Sequence, residues 1–121
     1  CIRDRFPSFP KLEGDIKTDV LVIGGGLCGV LCAWFLKQAG VDYVLVEGDA
    51  VGRGVTCNTT AKITSQHGLI YEKLLRTQGK EKALQYLDAN QWALGKYREL
   101  AEETECDFEE KDAFVYTLTD W

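Results

Sequence analysis

The residues with the clearest chemical potential are three glycines in the first quarter of the chain. Gly24, Gly26 and Gly29 form the pattern G-x-G-x-x-G inside "DVLVIGGGLCGV". In such a pattern the first glycine permits a tight turn, the second lets the backbone approach a pyrophosphate, and the third lets a helix pack closely against a strand. The amides near Leu27 and Cys28 would then face the phosphates from the positive end of the helix. The pattern therefore predicts a phosphate site made of backbone.

A single acid, Glu47, follows the glycines at about the distance of twenty residues that is typical of a ribose ligand. Its carboxylate would accept a hydrogen bond from a ribose hydroxyl, and its charge disfavours a 2′-phosphate, so NADP is a poor candidate. A tight turn followed by a solvated acid is the alternative that needs no ligand. The glycines and the acid together favour a dinucleotide, but they do not separate NAD from FAD.

Short apolar segments around these residues have the order strand, helix, strand. Residues 18–23 are mostly β-branched and aliphatic and end at the glycines, which predicts a strand buried on both faces. Residues 27–39 are apolar nearly all round, which predicts a buried helix, and Gly40 stands where a helix C-terminal glycine belongs. Residues 42–46 predict a second strand. A crossover of this length implies a parallel pair with a right-handed connection, the βαβ unit of a Rossmann-like FAD- or NAD(P)-binding fold.

The second half of the chain predicts a loop and then helices. The stretch "GDAVGRGVTCNTTA", residues 48–61, predicts a loop that leads into a short helical or irregular segment. Residues 70–76 and 80–104 predict two helices separated near Gly79. One buried face of the second helix is predicted to consist of Leu84, Leu87, Leu94 and Tyr97.

A pair of strands, residues 107–108 and 113–118, is predicted around an acidic turn. Two parallel strands leave edges and a face uncovered, whereas a doubly wound domain needs further strand–helix units to close its core. The predicted fold class is therefore α/β, a Rossmann-like βαβ unit followed by helices and a β-strand pair, incomplete as a domain. Residues 1–17 are predicted to be an extended lead-in. Residues 18–121 are predicted to be the N-terminal part of a larger dinucleotide-binding domain, truncated before its remaining strands.

The segment after the acid separates the two dinucleotides better than the glycines do. An NAD-binding domain commonly proceeds to another crossover soon after the acid, whereas this chain continues with a loop of small residues. Thr56, Thr59, Thr60 and Ala61 offer hydroxyls and uncrowded amides, which a long, extended cofactor needs along its length. FAD is therefore the favoured cofactor.

Two segments of the chain resemble a known family of flavoenzymes. The segments "TDVLVIGGGLCGVLCAWFLKQAGVDYVLVEGD" and "VGRGVTCNTTAKITSQHGLIY" are similar to the D-amino-acid oxidase, glycine oxidase and sarcosine oxidase family. The resemblance begins at about Lys17 and covers only the N-terminal part of such enzymes, which run to several hundred residues. It implies an FAD-binding domain whose enzyme oxidises a carbon–nitrogen bond of an amine or amino acid by hydride transfer to the flavin. Most substrate contacts would then come from later sequence.

The resemblance also assigns residues beyond the acid. In the family, the segment that matches residues 54–62 runs along the pyrophosphate and reaches the isoalloxazine ring. Together with the glycines, it gives a predicted cofactor site that consists of Gly24, Gly26, Leu27, Cys28, Gly29, Glu47, Gly48, Gly54, Thr56, Thr59, Thr60, Ala61 and Lys62.

Lys62 is the one candidate for a direct effect on the flavin ring. Some sarcosine-oxidase-like members place a basic residue at this position, where a cation would stabilise negative charge at N1 of the reduced flavin. A surface lysine at the start of a helix is the alternative. No other catalytic residue is identified. The sole histidine, His67, has catalysis or a covalent flavin link as one interpretation, but a lone histidine beside Gly68 is more typical of a loop.

The segment "NTTAKITSQHGLIY" and the lead-in "FP-x-L-x-GD" also resemble the sequences of one branch of the family. Members of that branch carry a C-terminal Rieske iron–sulfur domain. This chain contains no Cys-x-His pair of the kind that such a domain uses. Its five cysteines form no C-x-x-C pair, so no metal site is predicted.

A net charge of -5 disfavours nucleic acid and anionic membranes as partners, because both need a cationic face. The expected partner is a small-molecule substrate, an amine or amino acid by the resemblance, and the electron acceptor stays open. The chain opens with no charged-then-apolar leader and has no apolar run of bilayer length, which favours the cytoplasm. Two alternatives remain open, an NAD-dependent dehydrogenase domain and a non-catalytic dinucleotide-binding or sensor module.

Overall fold

The structure is a computed structural model that describes residues 7–116 and 118. The chain divides into two compact units, Cys1–Ala61 and Lys62–Trp121. The elements in chain order are β1 (Val20–Ile23), α1 (Leu27–Gln38), β2 (Tyr43–Val46), a short 3₁₀ helix (Thr56–Asn58) and α2 (Ile70–Glu102). All but α2 belong to the first unit.

The two strands of the first unit pair in parallel, as predicted. Val20 lies opposite Tyr43, and Ile23 lies opposite Val46. Both strands consist of β-branched, aliphatic and aromatic residues, which favour extended backbone. Beyond the last pair, the Gly24 N–H donates to the Val46 carbonyl at 2.8 Å. The strand–helix–strand order is confirmed, although each strand begins slightly later than predicted.

Helix α1 ends at the glycine that the sequence predicts. Gly40 has a φ of +68°, which favours glycine. Its N–H donates to the Lys37 carbonyl at 3.1 Å, and the Val41 N–H donates to the Leu36 carbonyl at 3.1 Å. These two bonds form a Schellman motif, which satisfies carbonyls that the last helical turn leaves without intrahelical partners.

Helix α1 approaches the end of β1 at very close range. A Cβ added to Gly29 would lie 1.9 Å from the Gly24 carbonyl oxygen and 3.5 Å from Val22 Cγ1. Only a glycine therefore lets the first turn of the helix reach the strand. Ala33, one turn further along the helix, is only 7% exposed.

The prediction of a strand buried on both faces is wrong for β1. Exposure alternates along the strand, and Ile23 is 80% exposed. Helix α1, predicted to be buried, also carries exposed apolar residues, among them Val30 and Phe35. The physical reason is that one helix can cover only one face of a two-stranded sheet.

The second unit is built on α2, which consists of two helical segments joined at Gly79. Gly79 has a φ of 83° and a ψ of 171°, which is not helical. A positive φ favours glycine, so the predicted break is confirmed. Ala83 is buried in the second segment, whereas Leu84, which was predicted on the buried face, is exposed. The other three residues predicted on that face are half-buried.

The predicted pair of strands after α2 is wrong for the described residues. Residues 103–116 and 118 contain no strand, and residue 117 lies outside the described residues. An isolated two-stranded hairpin is marginally stable in water unless a face is packed, and Phe114 is 85% exposed. This segment is instead linked to α2 by an ion pair of 2.7 Å between Arg98 Nη2 and Glu110 Oε1.

Residues 7–17 of the predicted lead-in are exposed and contain no helix or strand, and residues 1–6 lie outside the described residues. In the described part of the chain, no helix combines the length and the apolar character that crossing a bilayer requires.

Gly29→Ala is expected to destabilise the first unit. The new methyl group would overlap the Gly24 carbonyl oxygen, and overpacking of this kind typically costs about 1–3 kcal/mol. Gly95→Ala in α2 is the matched control, because a Cβ there meets no atom within 4 Å and alanine is favoured over glycine inside a helix by about 1 kcal/mol. Urea-induced unfolding should give a lower midpoint for Gly29→Ala and an equal or higher midpoint for Gly95→Ala. An unchanged midpoint for Gly29→Ala would contradict the close approach.

Candidate functional site

The glycine turn, residues 24–29, joins β1 to α1 and forms the centre of the candidate site. Gly24 has a φ of +104°, where glycine is strongly favoured. Gly26 has a φ of -78° and a ψ of -174°, extended backbone that any residue adopts. A Cβ at Gly26 would meet only Thr56 Oγ1 within 4 Å in the described chain, at an ordinary 3.4 Å. The fold therefore requires glycine at positions 24 and 29 but not at Gly26, where bare backbone is open to a ligand.

Gly25 links the turn to the second loop, residues 48–61, and to the acid before it. Its N–H donates to Glu47 Oε2 at 2.7 Å, and its carbonyl accepts the Gly52 N–H at 2.8 Å. A Cβ at Gly25 would lie 3.0 Å from Val51 Cγ2 and 3.2 Å from Glu47 Cβ, which is tighter than ordinary contact. The G-x-G-x-x-G pattern leaves this position free, and only the run of three glycines could have signalled its importance.

The carboxylate of Glu47, at the end of β2, holds two backbone N–H groups. Oε2 accepts from Gly25, and Oε1 accepts from the Asp49 N–H at 3.1 Å. The hydrogen bonds from Gly25 and then Asp49 lower the pKa of this carboxyl below its ordinary value; desolvation opposes them, and a weaker interaction with the Gly48 N–H adds to the lowering.

Glu47 keeps capacity for a ligand while it holds the turn. The residue is exposed, and a carboxylate has about four acceptor positions, of which two are used by Gly25 and Asp49. A ribose hydroxyl can therefore still donate to it. The second role, holding the glycine turn, was not predicted, because sequence spacing gives only the distance along the chain.

The N-terminus of α1 is capped from the second loop. Gly26, the N-cap residue, has no side chain, and Thr56 Oγ1 accepts the Leu27 N–H at 3.0 Å. The sequence predicts that the amides of Leu27 and Cys28 face phosphates, but the Leu27 N–H is already used by Thr56. The N–H groups of Cys28 and Gly29 have no acceptor among the described residues. Such donors at the positive end of a helix suit an anion.

The other predicted residues of the second loop are exposed on either side of the 3₁₀ helix: Gly48 and Gly54 precede it, and Thr59, Thr60 and Ala61 follow it. The Thr59 hydroxyl donates to the Thr56 carbonyl at 3.3 Å and accepts the Ala61 N–H at 3.3 Å. Ala61 has a φ of 54°, an uncommon value for a residue other than glycine. Thr60 is exposed, and a Cβ at Gly54 would meet nothing within 4 Å. Contact of these residues with a cofactor stays a prediction.

Lys62 and His67 belong to the second unit. Lys62 is exposed, and its place beside a flavin stays a prediction. His67 Nε2 lies 3.4 Å from Asn90 Oδ1, and its ring meets Tyr86 edge-on with centroids 6.3 Å apart. These contacts connect the loop before α2 to that helix, which favours the interpretation of His67 as a loop residue.

The donors and acceptors of the first unit suit one kind of ligand. Free backbone N–H groups at the start of α1 can hold an anion, and the carboxylate of Glu47 can hold a hydroxyl-bearing group beside it. Across residues 7–116 and 118, no three or more His, Cys, Asp or Glu side chains are grouped so that they could hold a metal ion. The arrangement therefore supports binding of a phosphate next to a sugar.

Comparisons with known proteins match almost the whole chain. The model of the DAO family, described as FAD dependent oxidoreductase, matches residues 19–121. The chain is 40% identical over 116 residues to "Putative Rieske 2Fe-2S iron-sulfur protein YhfW" from Bacillus subtilis (strain 168), a match that covers 94% of this chain and 23% of that protein.

Two further relatives have names that describe different reactions. The chain is 26% identical over 80 residues to "Gamma-glutamylputrescine oxidoreductase" from Escherichia coli (strain K12), covering 66% of this chain and 19% of the relative. It is 37% identical over 82 residues to "Tetracenomycin B2 monooxygenase-dioxygenase" from Streptomyces olivaceus, a match that covers 64% of this chain and 14% of that relative. The chain thus spans less than a quarter of the length of each of these relatives. No solved structure matches it.

Acidification is expected to break the hydrogen bond between Glu47 and Gly25. Because folding lowers the pKa of Glu47, this carboxylate's contribution to stability is complete above the ordinary glutamate value of about 4.3. The contribution is lost as the pH falls through the lowered pKa. In an NMR titration, the Gly25 amide proton should therefore shift upfield together with the Glu47 carboxyl carbon, with a midpoint below the ordinary glutamate value. Glu47→Gln, which cannot titrate, should remove the transition at Gly25. A Glu47 transition at or above the ordinary value would contradict this hydrogen bonding.

Proposed function

The chain belongs to the DAO family of FAD-dependent oxidoreductases, and we propose that its glycine turn and second loop hold FAD for the oxidation of a carbon–nitrogen bond in an amine or amino acid. The family match confirms both the resemblance and the prediction of FAD as the cofactor. In this proposal residues 18–121 are the N-terminal part of an FAD-binding domain. Its remaining strands lie in sequence that the longer relatives have and this chain does not cover.

The observation that carries the proposal is the open backbone at Gly26. Neither its dihedral angles nor the surrounding protein atoms require a glycine there. By contrast, the positive φ requires a glycine at position 24, and the close approach to β1 requires one at position 29. A glycine that the fold does not need is explained by a ligand that comes closer to the backbone than a Cβ permits. A pyrophosphate, held by N–H groups in the first turn of α1, is such a ligand.

Each group of the site then has a separate task. The N–H groups of Cys28 and Gly29 donate to phosphate oxygens at the positive end of α1. Glu47, an anion whose pKa the hydrogen bonds lower further, accepts from a ribose hydroxyl while it holds the Gly25 N–H. FAD, when bound, supplies the acceptor for a hydride. Lys62 would stabilise negative charge at the flavin ring.

The proposal also specifies the bond that is oxidised, a carbon–nitrogen bond. The resemblance of the sequence to amine- and amino-acid-oxidising enzymes supports it, as does the name of the relative gamma-glutamylputrescine oxidoreductase. The relative named as a monooxygenase-dioxygenase matches much of the same segment. Residues that select the reaction are therefore expected outside the glycine turn. A small-molecule substrate and a cytoplasmic location remain predictions, and the electron acceptor is open.

A Rieske domain is proposed for the part of the protein beyond this chain. The relative that is 40% identical carries the Rieske 2Fe-2S description in its name. The sequence of residues 58–71 and of the lead-in also predicts this branch of the family. The cluster ligands would lie entirely in later sequence, because this chain has no Cys-x-His pair.

The full-length protein is expected to be purified as a yellow flavoprotein. Its visible spectrum should show absorption near about 450 nm, as is general for oxidised flavins, and an amine or amino acid should bleach this band in the absence of oxygen. A colourless protein that binds NAD would refute the proposal. A flavin band that no amine or amino acid bleaches would favour the non-catalytic sensor module.

Gly26→Ala should remove FAD without unfolding the protein. The fold has room for this methyl group, whereas the proposed pyrophosphate does not leave room for it, so affinity should fall at least about tenfold. Flavin content after purification and titration with FAD measure the loss. Because Gly26 is the N-cap of α1 and alanine is a poorer N-cap than glycine, the urea midpoint should fall slightly, but by less than in Gly29→Ala. Gly95→Ala, far along α2, serves as the glycine-to-alanine control. Unchanged FAD retention in Gly26→Ala would contradict the proposed pyrophosphate position.

A further inference from the structure

Thr56 connects the second loop to the N-terminus of α1. Its Oγ1 accepts the Leu27 N–H at 3.0 Å, although the two residues are 29 positions apart. The same oxygen lies 3.4 Å from the place of a Cβ at Gly26. Because the N-cap residue Gly26 has no side chain, Thr56 takes over the task of an N-cap hydroxyl from outside the helix.

Two further hydrogen bonds link the glycine turn to residues that, like Thr56, follow β2 in the sequence. The Gly25 carbonyl accepts the Gly52 N–H at 2.8 Å, and the Gly25 N–H donates to Glu47 at 2.7 Å. With the bond from Leu27 to Thr56, the residues on both sides of Gly26 are tied to sequence that follows β2. The backbone that would meet a pyrophosphate is therefore positioned by these contacts and not by the G-x-G-x-x-G residues alone.

We propose that Thr56 is a positioning residue for FAD that acts through the Leu27 peptide. This inference rests on the proposed function and extends it, since the sequence predicts Thr56 only as a residue that lines the cofactor. With Leu27 fixed by the Thr56 hydroxyl, the N–H groups of Cys28 and Gly29 are oriented before FAD arrives. Preorganised donors bind more tightly, because ordering them costs no free energy at the time of binding.

The hydroxyl, and not the shape of the side chain, is the feature that the proposal requires. Valine keeps the shape of threonine and loses the acceptor, whereas serine keeps the hydroxyl. Thr77 offers a matched control, because it is an exposed threonine in α2 whose hydroxyl donates to the Lys73 carbonyl at 2.8 Å.

The first measurement is the FAD dissociation constant of the full-length protein that contains this chain, after bound flavin has been removed. Thr56→Val should bind FAD about tenfold more weakly, as expected for a lost N-cap hydroxyl. Thr56→Ser and Thr77→Val should bind like the unchanged protein. Equal affinity in Thr56→Val overturns the proposal. If even the unchanged protein binds no FAD, the proposed function fails, and this inference fails with it.

The second measurement is amide hydrogen exchange in the FAD-free protein, which separates positioning from direct contact. In the unchanged protein the Leu27 amide should exchange more slowly than the Cys28 amide, because only the former has a described acceptor. Thr56→Val should speed exchange at Leu27, and Thr56→Ser should restore its protection. Equal exchange of the two amides in the unchanged protein overturns the proposal without any variant, even if Thr56→Val does not fold.

Discussion

Hydrogen bonding of the Gly25 peptide group is the constraint on which the candidate site depends. A turn of consecutive glycines has more conformational freedom than any other sequence, so it must be held by its neighbours. Glu47 accepts its N–H, and Gly52 donates to its carbonyl. Both partners follow β2, so the hydrogen bonding of the turn is complete only when β2 and the second loop are in place. Strand pairing, the second loop and the proposed phosphate site are therefore parts of one structure.

The same constraint gives the carboxylate of Glu47 an observed task, holding the turn, beside its proposed task of holding a ribose. An anion beside a proposed pyrophosphate is unfavourable by charge alone. Backbone N–H groups from Gly25 and Asp49 offset part of that charge and lower the pKa of the carboxyl. In the proposed site, this acid would accept from a ribose hydroxyl while it fixes the turn that the phosphates would approach.

Features that depend on neighbouring residues could be predicted from the sequence, and features that depend on distant contacts could not. The strand–helix–strand order, the Schellman glycine Gly40 and the break at Gly79 follow from local patterns, and the structure has all three. The strand pair after α2 failed because a hairpin needs a packed face that local sequence does not reveal. The exposed face of β1 could not be foreseen either, since burial depends on what else covers the sheet.

The candidate site follows the same division. The roles of Gly24 and Gly29 agree with the motif, because a positive φ and a close approach are local demands. The contacts of Gly25 with Glu47, and of Leu27 with Thr56, join residues more than twenty positions apart. No periodicity or spacing indicates which N–H meets which oxygen in such a loop.

Gly24, Gly25 and Gly26 are adjacent, but each is a glycine for a different structural reason. This difference affects how natural variants would behave in cells. A change at Gly24 or Gly25 acts on the backbone or the second loop, so it raises the unfolded fraction that chaperones and proteases remove. An alanine at Gly26, for which the fold has room, would leave the amount of protein nearly as it was. If FAD binds as proposed, substitutions only one position apart would therefore abolish its binding in two distinguishable ways. One lowers the amount of protein, and the other leaves a normal amount of protein without its cofactor.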